Sequence, residues 1–341
     1  MNFKHNPLIS VCITSYNRVN ELSRCLKSIK TKHINQIEIV VSEDCSPKKN
    51  EIKEVVLNFK KISPYRLIFN TNEENLGFDR NLRKLIDIAN GKYLLFVTDD
   101  DSFMDDKLDE LIKLIINIDF SVGFTPYFDC ITNKYERKLK STEAIPAGMK
   151  SVTKHLYSSI LLSGLIFKKS MIPKYDIKLF ANLIYSQVYL FAFILRKNRG
   201  YYIDVPIIRY IGDGENSFGK NDAAEKNELL ANRKSYLSNL EFHKSLIKTI
   251  CLFDINTNEN LMISFSKQYS LKSFTGMCYA RSFGLNALNQ YWIKLHSLEI
   301  RLSYIVYFYY SILFVFGCSL SNKLFLIPRF IYFRFKQLSD N

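Results

Sequence analysis

The chain has no CxxC pair and no cysteine–histidine cluster at metal-ligand spacing, although seven cysteines (12, 25, 45, 130, 251, 278 and 318) are scattered through its 341 residues. An odd number at irregular intervals excludes a disulfide frame and a zinc site, and points to reduced thiols in a reducing compartment. No cleavable export signal is expected, because MNFKHNPLISVCITSYNR turns polar before any apolar stretch reaches signal-peptide length. There is no internal repeat, and 47% apolar with 23% charged residues is not the composition of a disordered, collagen-like or low-complexity chain. Residues 1–150 have little net charge, with 23 basic and 21 acidic side chains, whereas residues 151–341 hold 24 and 12. Nearly all of the formal +14 therefore lies in the second half, an asymmetry that suits a polyanion or an anionic membrane surface. No nucleic-acid-binding motif accompanies it, and no nucleic-acid partner is expected.

What is present is an alternation. LISVCIT (8–14), IEIVVS (37–42), YRLIFN (65–70) and KYLLFVT (92–98) are short apolar runs with β-branched and aromatic residues. Between them, Leu22, Cys25, Leu26 and Ile29, then Ile52, Val55, Val56 and Phe59, then Leu82, Leu85, Ile86 and Ile88 fall at helical spacing. Strand–helix alternation predicts an α/β fold with a mostly parallel sheet, flanking helices and right-handed crossovers. In such sheets ligands bind beyond the carboxyl ends of the strands. Polar clusters stand at all four ends: Thr14–Arg18, Glu43–Ser46, Asn72–Gly77 and Asp99–Asp101. The second half is less regular. A strand–turn element is expected over 158–170 around Ser163-Gly164, a helix over 179–196, a strand over 200–210 and helices from 223 until a turn at 253–260.

Three adjacent carboxylates, Asp99, Asp100 and Asp101, repel one another and imply a divalent cation or a ring of cations. Hard oxygen ligands suit Mg²⁺ or Mn²⁺, which would neutralise a diphosphate leaving group. One of the three also suits the cap of the helix that follows. Asp44 is placed to accept a hydrogen bond from a base N–H, and Thr14, Tyr16 and Asn17 to cover base and ribose. Arg80 and Asn81 open the third helix beyond the NLG turn, where a guanidinium and helix amides suit phosphate oxygens. Each also has a reading as turn or cap, with Arg80 pairing Asp79 or Glu74.

SVCITSYNR, EIVVSEDCS and NEENLGFDRN…ANGKYLLFVTDDD together resemble the inverting family 2 glycosyltransferases in order and spacing over residues 8–105. The NLGFDRN form, with an aromatic and basic C-terminal region, is most similar to abequosyltransferase-like and other bacterial O-antigen or capsule enzymes. The resemblance implies a nucleotide-sugar-binding A-type glycosyltransferase fold and a nucleoside-diphosphate-sugar donor. Its implied donor set is Thr14, Tyr16, Asn17, Arg18, Asp44, Asn75, Gly77, Arg80, Asn81, Asp99 and Asp100, with Asp100 and Asp101 on the metal. Thr98 stands where many members have the first Asp of the D-x-D. Members also carry an E-D pair that supplies a general base; here Ser186 and Gln187 occupy that place, leaving Asp176, Asp213 or Glu215 as candidates. A non-catalytic glycan- or nucleotide-sugar-binding scaffold of a polysaccharide assembly complex is the alternative that this departure supports.

Residues 302–321 hold no charge and seven aromatics between Arg301 and Lys323, and LFLIPRFIYFRFK (324–336) interleaves Arg329, Arg334 and Lys336 with aromatics. Twenty such residues suit a bilayer span, an interfacial helix that snorkels its charges, or a buried helix. The expected organisation is therefore a nucleotide-sugar-binding domain over 1–220 and a helical, membrane-associating region over 221–341. The chain is placed in the cytoplasm, at the inner face of the cell membrane, facing a glycan or lipid-linked glycan acceptor.

Overall fold

The computed structural model describes residues 6–174, 183–214, 227–232 and 234–339. They fall into two compact units, one of residues 1–227 with 255–257 and one of residues 228–254 with 258–341. In the first, β1 (Ile9–Ser15), α1 (Val19–Ser28), β2 (Ile37–Glu43), α2 (Lys49–Ile62), β3 (Arg66–Thr71), α3 (Phe78–Ile88) and β4 (Tyr93–Thr98) alternate without interruption. Every residue of β1 and β2 is buried, because helices cover both faces of the sheet. These strands are therefore continuous apolar runs, while α1 and α3 bury only one stripe each, through Leu22, Cys25 and Leu26 and through Leu82, Leu85 and Ile86.

β5 (Ser102–Phe103), α4 (Lys107–Asn117), β6 (Val122–Phe124), β7 (Tyr127–Asp129), β8 (Lys134–Glu136), β9 (Glu143–Ile145), α5 (Met149–His155), β10 (Leu165–Lys168), α6 (Ser186–Leu195), β11 (Gly200–Tyr202) and β12 (Ile208–Tyr210) complete the unit. The main sheet runs β3-β2-β1-β4-β10-β6-β11-β9, and a small second sheet runs β5-β12-β7-β8. β3, β2, β1 and β4 are mutually parallel, and β10 is antiparallel to both β4 and β6. Register aligns the carboxyl ends: Ser15 lies opposite Glu43, Glu43 opposite Thr71, and Thr14 opposite Thr98. The four polar clusters thus begin at one level of one edge.

Three expectations change. Of 158–170 only Leu165–Lys168 is a strand, because residues 156–159 form a 3₁₀ turn and Gly164 takes φ +84°. The run 200–210 is two strands in two sheets, with Pro206, which has no N–H for a ladder, in the connection between them. The helix placed over 179–196 is Ser186–Leu195 among the described residues.

The second unit is helical: α7 (Glu228–Ala231), α8 (Ser238–Thr257), α9 (Leu261–Ser282), α10 (Leu285–His296) and α11 (Tyr304–Ser339). The turn expected over 253–260 is shorter, since α8 continues to Thr257 before Asn258 turns left-handed at φ 56°. Asp254 makes the short turn workable by accepting from the first amides of α9, Leu261 N at 2.8 Å and Met262 N at 2.9 Å.

Candidate active site

The rim at the carboxyl edge is built around a buried ion pair. After β1 the chain turns through Asn17 at φ 60°, which brings Arg18 back over the end of β4. Arg18 Nη1 lies 2.8 Å from Asp99 Oδ1 and 3.1 Å from Asp100 Oδ2. The other oxygen of Asp99 accepts from the Tyr16 amide at 3.1 Å. The positive charge that the aspartate run requires is thus supplied, in part, by this chain's own guanidinium. Burial nevertheless outweighs Arg18 at Asp99, whose carboxyl is pushed up to about 6.

Asp100 and Asp101 face different ways. Asp101, expected beside Asp100 on a metal, is fully buried and turned inward. Its Oδ2 accepts from Ser163 Oγ at 2.5 Å and Thr98 Oγ1 at 2.9 Å, and its Oδ1 from the Ile211 amide at 3.4 Å. Burial, with Asp100 close by, pushes it up to about 7. Behind it Arg137 donates to the carbonyls of Ser163 at 2.9 Å and Leu161, which fixes the turn carrying Ser163. Among the described residues, Asp100 is paired through Oδ2, with Arg18. With Asp101 turned inward, a hard cation would meet Asp100 here. That fits an ion which completes its shell with water and phosphate oxygens, but not a cage of protein ligands. Among the described residues no group of three His, Cys, Asp or Glu side chains is arranged to hold a metal ion.

At the end of β2, Asp44 is 4% exposed and its Oδ1 already accepts from Asn72 Nδ2 at 2.8 Å and the Leu76 amide at 2.9 Å. It shapes the 72–77 turn that leads to Gly77, whose φ of 79° precedes α3. Asn75 Oδ1 accepts from the Gly77 amide at 3.0 Å. Arg80 is half-buried, with Nε on the Leu76 carbonyl at 2.5 Å, instead of pairing with Asp79 or Glu74. Asn81 points inward, accepting from Ser42 Oγ at 2.7 Å and donating to the Ser42 carbonyl at 3.1 Å; it clamps α3 to β2 and does not open toward a phosphate. Thr14, 9% exposed, stands at the end of β1 beside this group.

Asp213 lies at the same site. Arg24 on α1 forks onto its two oxygens at 2.7 Å each and donates to the Asp100 carbonyl at 2.8 Å. The guanidinium holds the Asp213 carboxyl below its ordinary range. Gly214 follows, and a Cβ there would stand 2.4 Å from Asp100 Oδ2 and 2.9 Å from Arg18 Cζ, so glycine lets this segment lie against the aspartates. Asp176 and Glu215 lie outside the described residues. Ser186 and Gln187 are both buried at the start of α6. The carboxylate that meets this helix is Asp79 of α3, which accepts from the Ile184 amide at 2.6 Å and the Ser186 amide at 2.8 Å. Its burial pushes it up to about 6. Asp79, Arg24, Arg137 and Ser163 were not marked as site residues by sequence reasoning; their partners lie 24 to 189 positions away along the chain.

A doubly covered α/β sheet with its charged groups gathered at one carboxyl edge defines a class, the A-type glycosyltransferase fold. Residues 10–175 match the profile of glycosyl transferase family 2. Abequosyltransferase RfbV of Salmonella typhimurium is 35% identical over 103 residues, 30% of each chain. A GalNAc(5)-diNAcBac-PP-undecaprenol beta-1,3-glucosyltransferase of Campylobacter jejuni is 30% identical over 107 residues, 31% of this chain and 34% of its own. The chain spans about a third of the length of the curated relatives it matches first. Among solved structures, S. aureus TarS residues 1–349 in complex with UDP-GlcNAc superposes with a TM-score of 0.51 at 17% identity, covering 84% of this chain and 87% of that one. The likeness is one of fold.

Proposed function

We propose that this protein is a glycosyltransferase that moves a sugar, with inversion, from a nucleoside-diphosphate sugar to a hydroxyl of a lipid-linked or polymeric surface glycan such as a capsule or O-antigen. The observation that carries the reading is the alignment of four strand ends at one edge, where Arg18 pairs with Asp99 and Asp100. Thr14, Tyr16 and Asn17 cover base and ribose, with Asp44 shaping the base side. Asn75, Gly77 and Arg80 lie toward the phosphates. Arg18 offers them positive charge next to Asp99 and Asp100. Asp100, with Asp101 behind it, would hold Mg²⁺ or Mn²⁺, which would supply Lewis-acid stabilisation of the departing diphosphate.

The acceptor oxygen bonds to the anomeric carbon as the bond to the diphosphate oxygen breaks, and that oxygen leaves with the electron pair. The hydroxyl proton passes to a carboxylate within hydrogen-bond reach. Asp213 and Asp176 are the proposed bases. Replacing the true one by Asn lowers kcat while donor binding stays unchanged; loss of both in parallel refutes the role. The name of the Campylobacter jejuni relative, which includes an undecaprenol-linked glycan, supports a lipid-linked acceptor. The basic, aromatic residues 221–341 support a cytoplasmic site at the inner membrane face, to which they attach the enzyme.

Thermal unfolding in Mn²⁺ against a panel of nucleotide sugars tests the proposal. A specific donor at a hundred times its Kd stabilises by about 2.7 kcal/mol, and Asp100→Ala abolishes both that shift and turnover. A panel without any shift, or an active Asp100→Ala enzyme, overturns it. Ser186 and Gln187, buried where the family has its acidic pair, favour a second reading: a donor-binding scaffold without catalysis. Donor hydrolysis in the absence of acceptor separates the two.

A further inference from the structure

The second unit exposes an apolar surface that donor chemistry does not use. α11 buries Val306, Tyr309 and Leu313 on α9 and α10, while Tyr304, Tyr307, Phe308, Phe314 and Val315 stay 44 to 92% exposed. The exposed side chains recur three and four residues apart, so the helix is apolar on its outward side as well as its packed one. Such a helix needs a second apolar environment. The basic residues around it, Arg301, Lys323, Arg329, Arg334 and Lys336 against the single Asp340 in residues 301–341, complement anionic headgroups.

Two features oppose a transverse arrangement. First, Gly317 at φ 67° and ψ −177° breaks the helix. The stretch from Tyr304 to Phe316 is about 20 Å long at 1.5 Å per residue, short of a hydrocarbon core of about 30 Å. Second, α11 is fastened to α9 between Tyr309 and Cys318. Tyr309 Oη donates to the Leu271 carbonyl at 3.4 Å, Arg281 Nε to the Leu313 carbonyl at 3.0 Å and Cys318 Sγ to the Cys278 carbonyl at 2.9 Å. α9 carries Lys267, Lys272 and Arg281. Threading α11 through a bilayer would drag those charges into hydrocarbon, where they are costly. Arg281 would sit nearest the middle.

Resting on the membrane reading above, we infer that α11 lies in the plane of an anionic bilayer, its outward aromatic face in the headgroup–acyl boundary, and does not cross it. Arg281 holds the helix to α9 near the break, and the sequence beyond Gly317 supplies positive charge that matches anionic headgroups.

Trp292 is the only tryptophan, so the full chain carrying Trp292→Phe accepts single reporters. Phe308→Trp, Val315→Trp and Leu320→Trp are bound to vesicles of phosphatidylcholine and phosphatidylglycerol that carry bromine at shallow or deep acyl positions. Shallow bromines quench all three most strongly if the helix lies in plane. Strongest quenching of the Val315→Trp reporter by deep bromines overturns the in-plane arrangement and leaves membrane association standing. Failure of the unmodified chain to bind these vesicles overturns membrane association itself. Two controls do not depend on the reporters. Alkaline carbonate releases the unmodified chain from membranes, and retention refutes the inference. Phe308→Asp with Val315→Asp lowers partitioning about tenfold or more, and unchanged partitioning refutes the assigned face.

Discussion

Arg18 is the most exposed point of the reasoning, because one nitrogen serves two buried carboxylates. Replacing it with Met keeps the apolar stem and removes the charge. Side chains of Asp99 and Asp100 are only 3% and 13% exposed, so neither regains full hydration. Removing one partner of a buried pair costs about 3–5 kcal/mol, and the edge position of Arg18 argues for the lower end, about 3 kcal/mol. The loss should depend on pH in a fixed direction. Asp99 has a folded pKa of about 6, already above its ordinary value, so its neutral form is favoured on folding and stability declines as pH rises toward 6. Without Arg18 that pKa rises further. The variant then continues to lose about 1.4 kcal/mol per pH unit above 6 while the parent levels off. The difference between them is small at pH 5 and grows toward pH 8.

Trp292 lies in the helical unit, so fluorescence would report the wrong unit; amide exchange of β4 across a urea series reads the right one. Mn²⁺ should return part of the loss, since a cation at the two aspartates stands in for the missing guanidinium; at ten times its Kd that is about 1.4 kcal/mol. A double-mutant cycle with Asp99→Asn should give a coupling of about 1 kcal/mol or more. A loss below about 1 kcal/mol that is independent of pH and additive with Asp99→Asn would refute the assignment of Arg18 as the resident counter-charge.

Two further predictions concern what stands behind the site. Ser163→Ala removes the 2.5 Å donor to Asp101 and the acceptor for the Thr98 amide, and should cost about 1–3 kcal/mol in urea unfolding; a loss under about 0.5 kcal/mol contradicts the network. His155 is packed against Phe124, and burial pushes its imidazole down from 6.5 to about 4. Its contribution is therefore complete above pH 6.5 and is lost as pH falls toward 4, by at most about 3 kcal/mol. His155→Leu should flatten acid unfolding over that window, and an unchanged pH profile contradicts it.

β1, β2 and β4 are legible in the sequence because cover on both faces forces largely apolar runs, and their ends are legible because buried runs stop where polar turns begin. Beyond Phe103 the strands shorten to three or four residues, too few for a period to show, and the 200–210 run divides between two sheets. Within the site, a run of aspartates reads alike whichever way each carboxylate points. That Asp101 turns inward is decided by Ser163, 62 positions away, and that Asp213 is held as an anion is decided by Arg24, 189 positions away. Asn81 shows the same limit at closer range: its inward turn depends on Ser42 in the neighbouring strand.

The near-zero charge of the first half acquires a physical meaning from these pairings. Among the described residues Asp99 and Asp100 face one Arg18, and Asp213 faces Arg24, so this group of five side chains carries about one uncompensated negative charge before any ligand arrives. Asp101, pushed up to about 7, adds only part of another. A diphosphate entering this rim brings further negative charge to a place where water is already thinned by burial, and Arg18 cannot balance it while remaining paired with both aspartates. Either Arg18 turns from the carboxylates toward the phosphates, leaving Asp99 and Asp100 in need of a cation, or it stays and the phosphates need one. On the proposed donor reading both routes call for a cation arriving with the donor, and Asp100 would be the carboxylate to receive it.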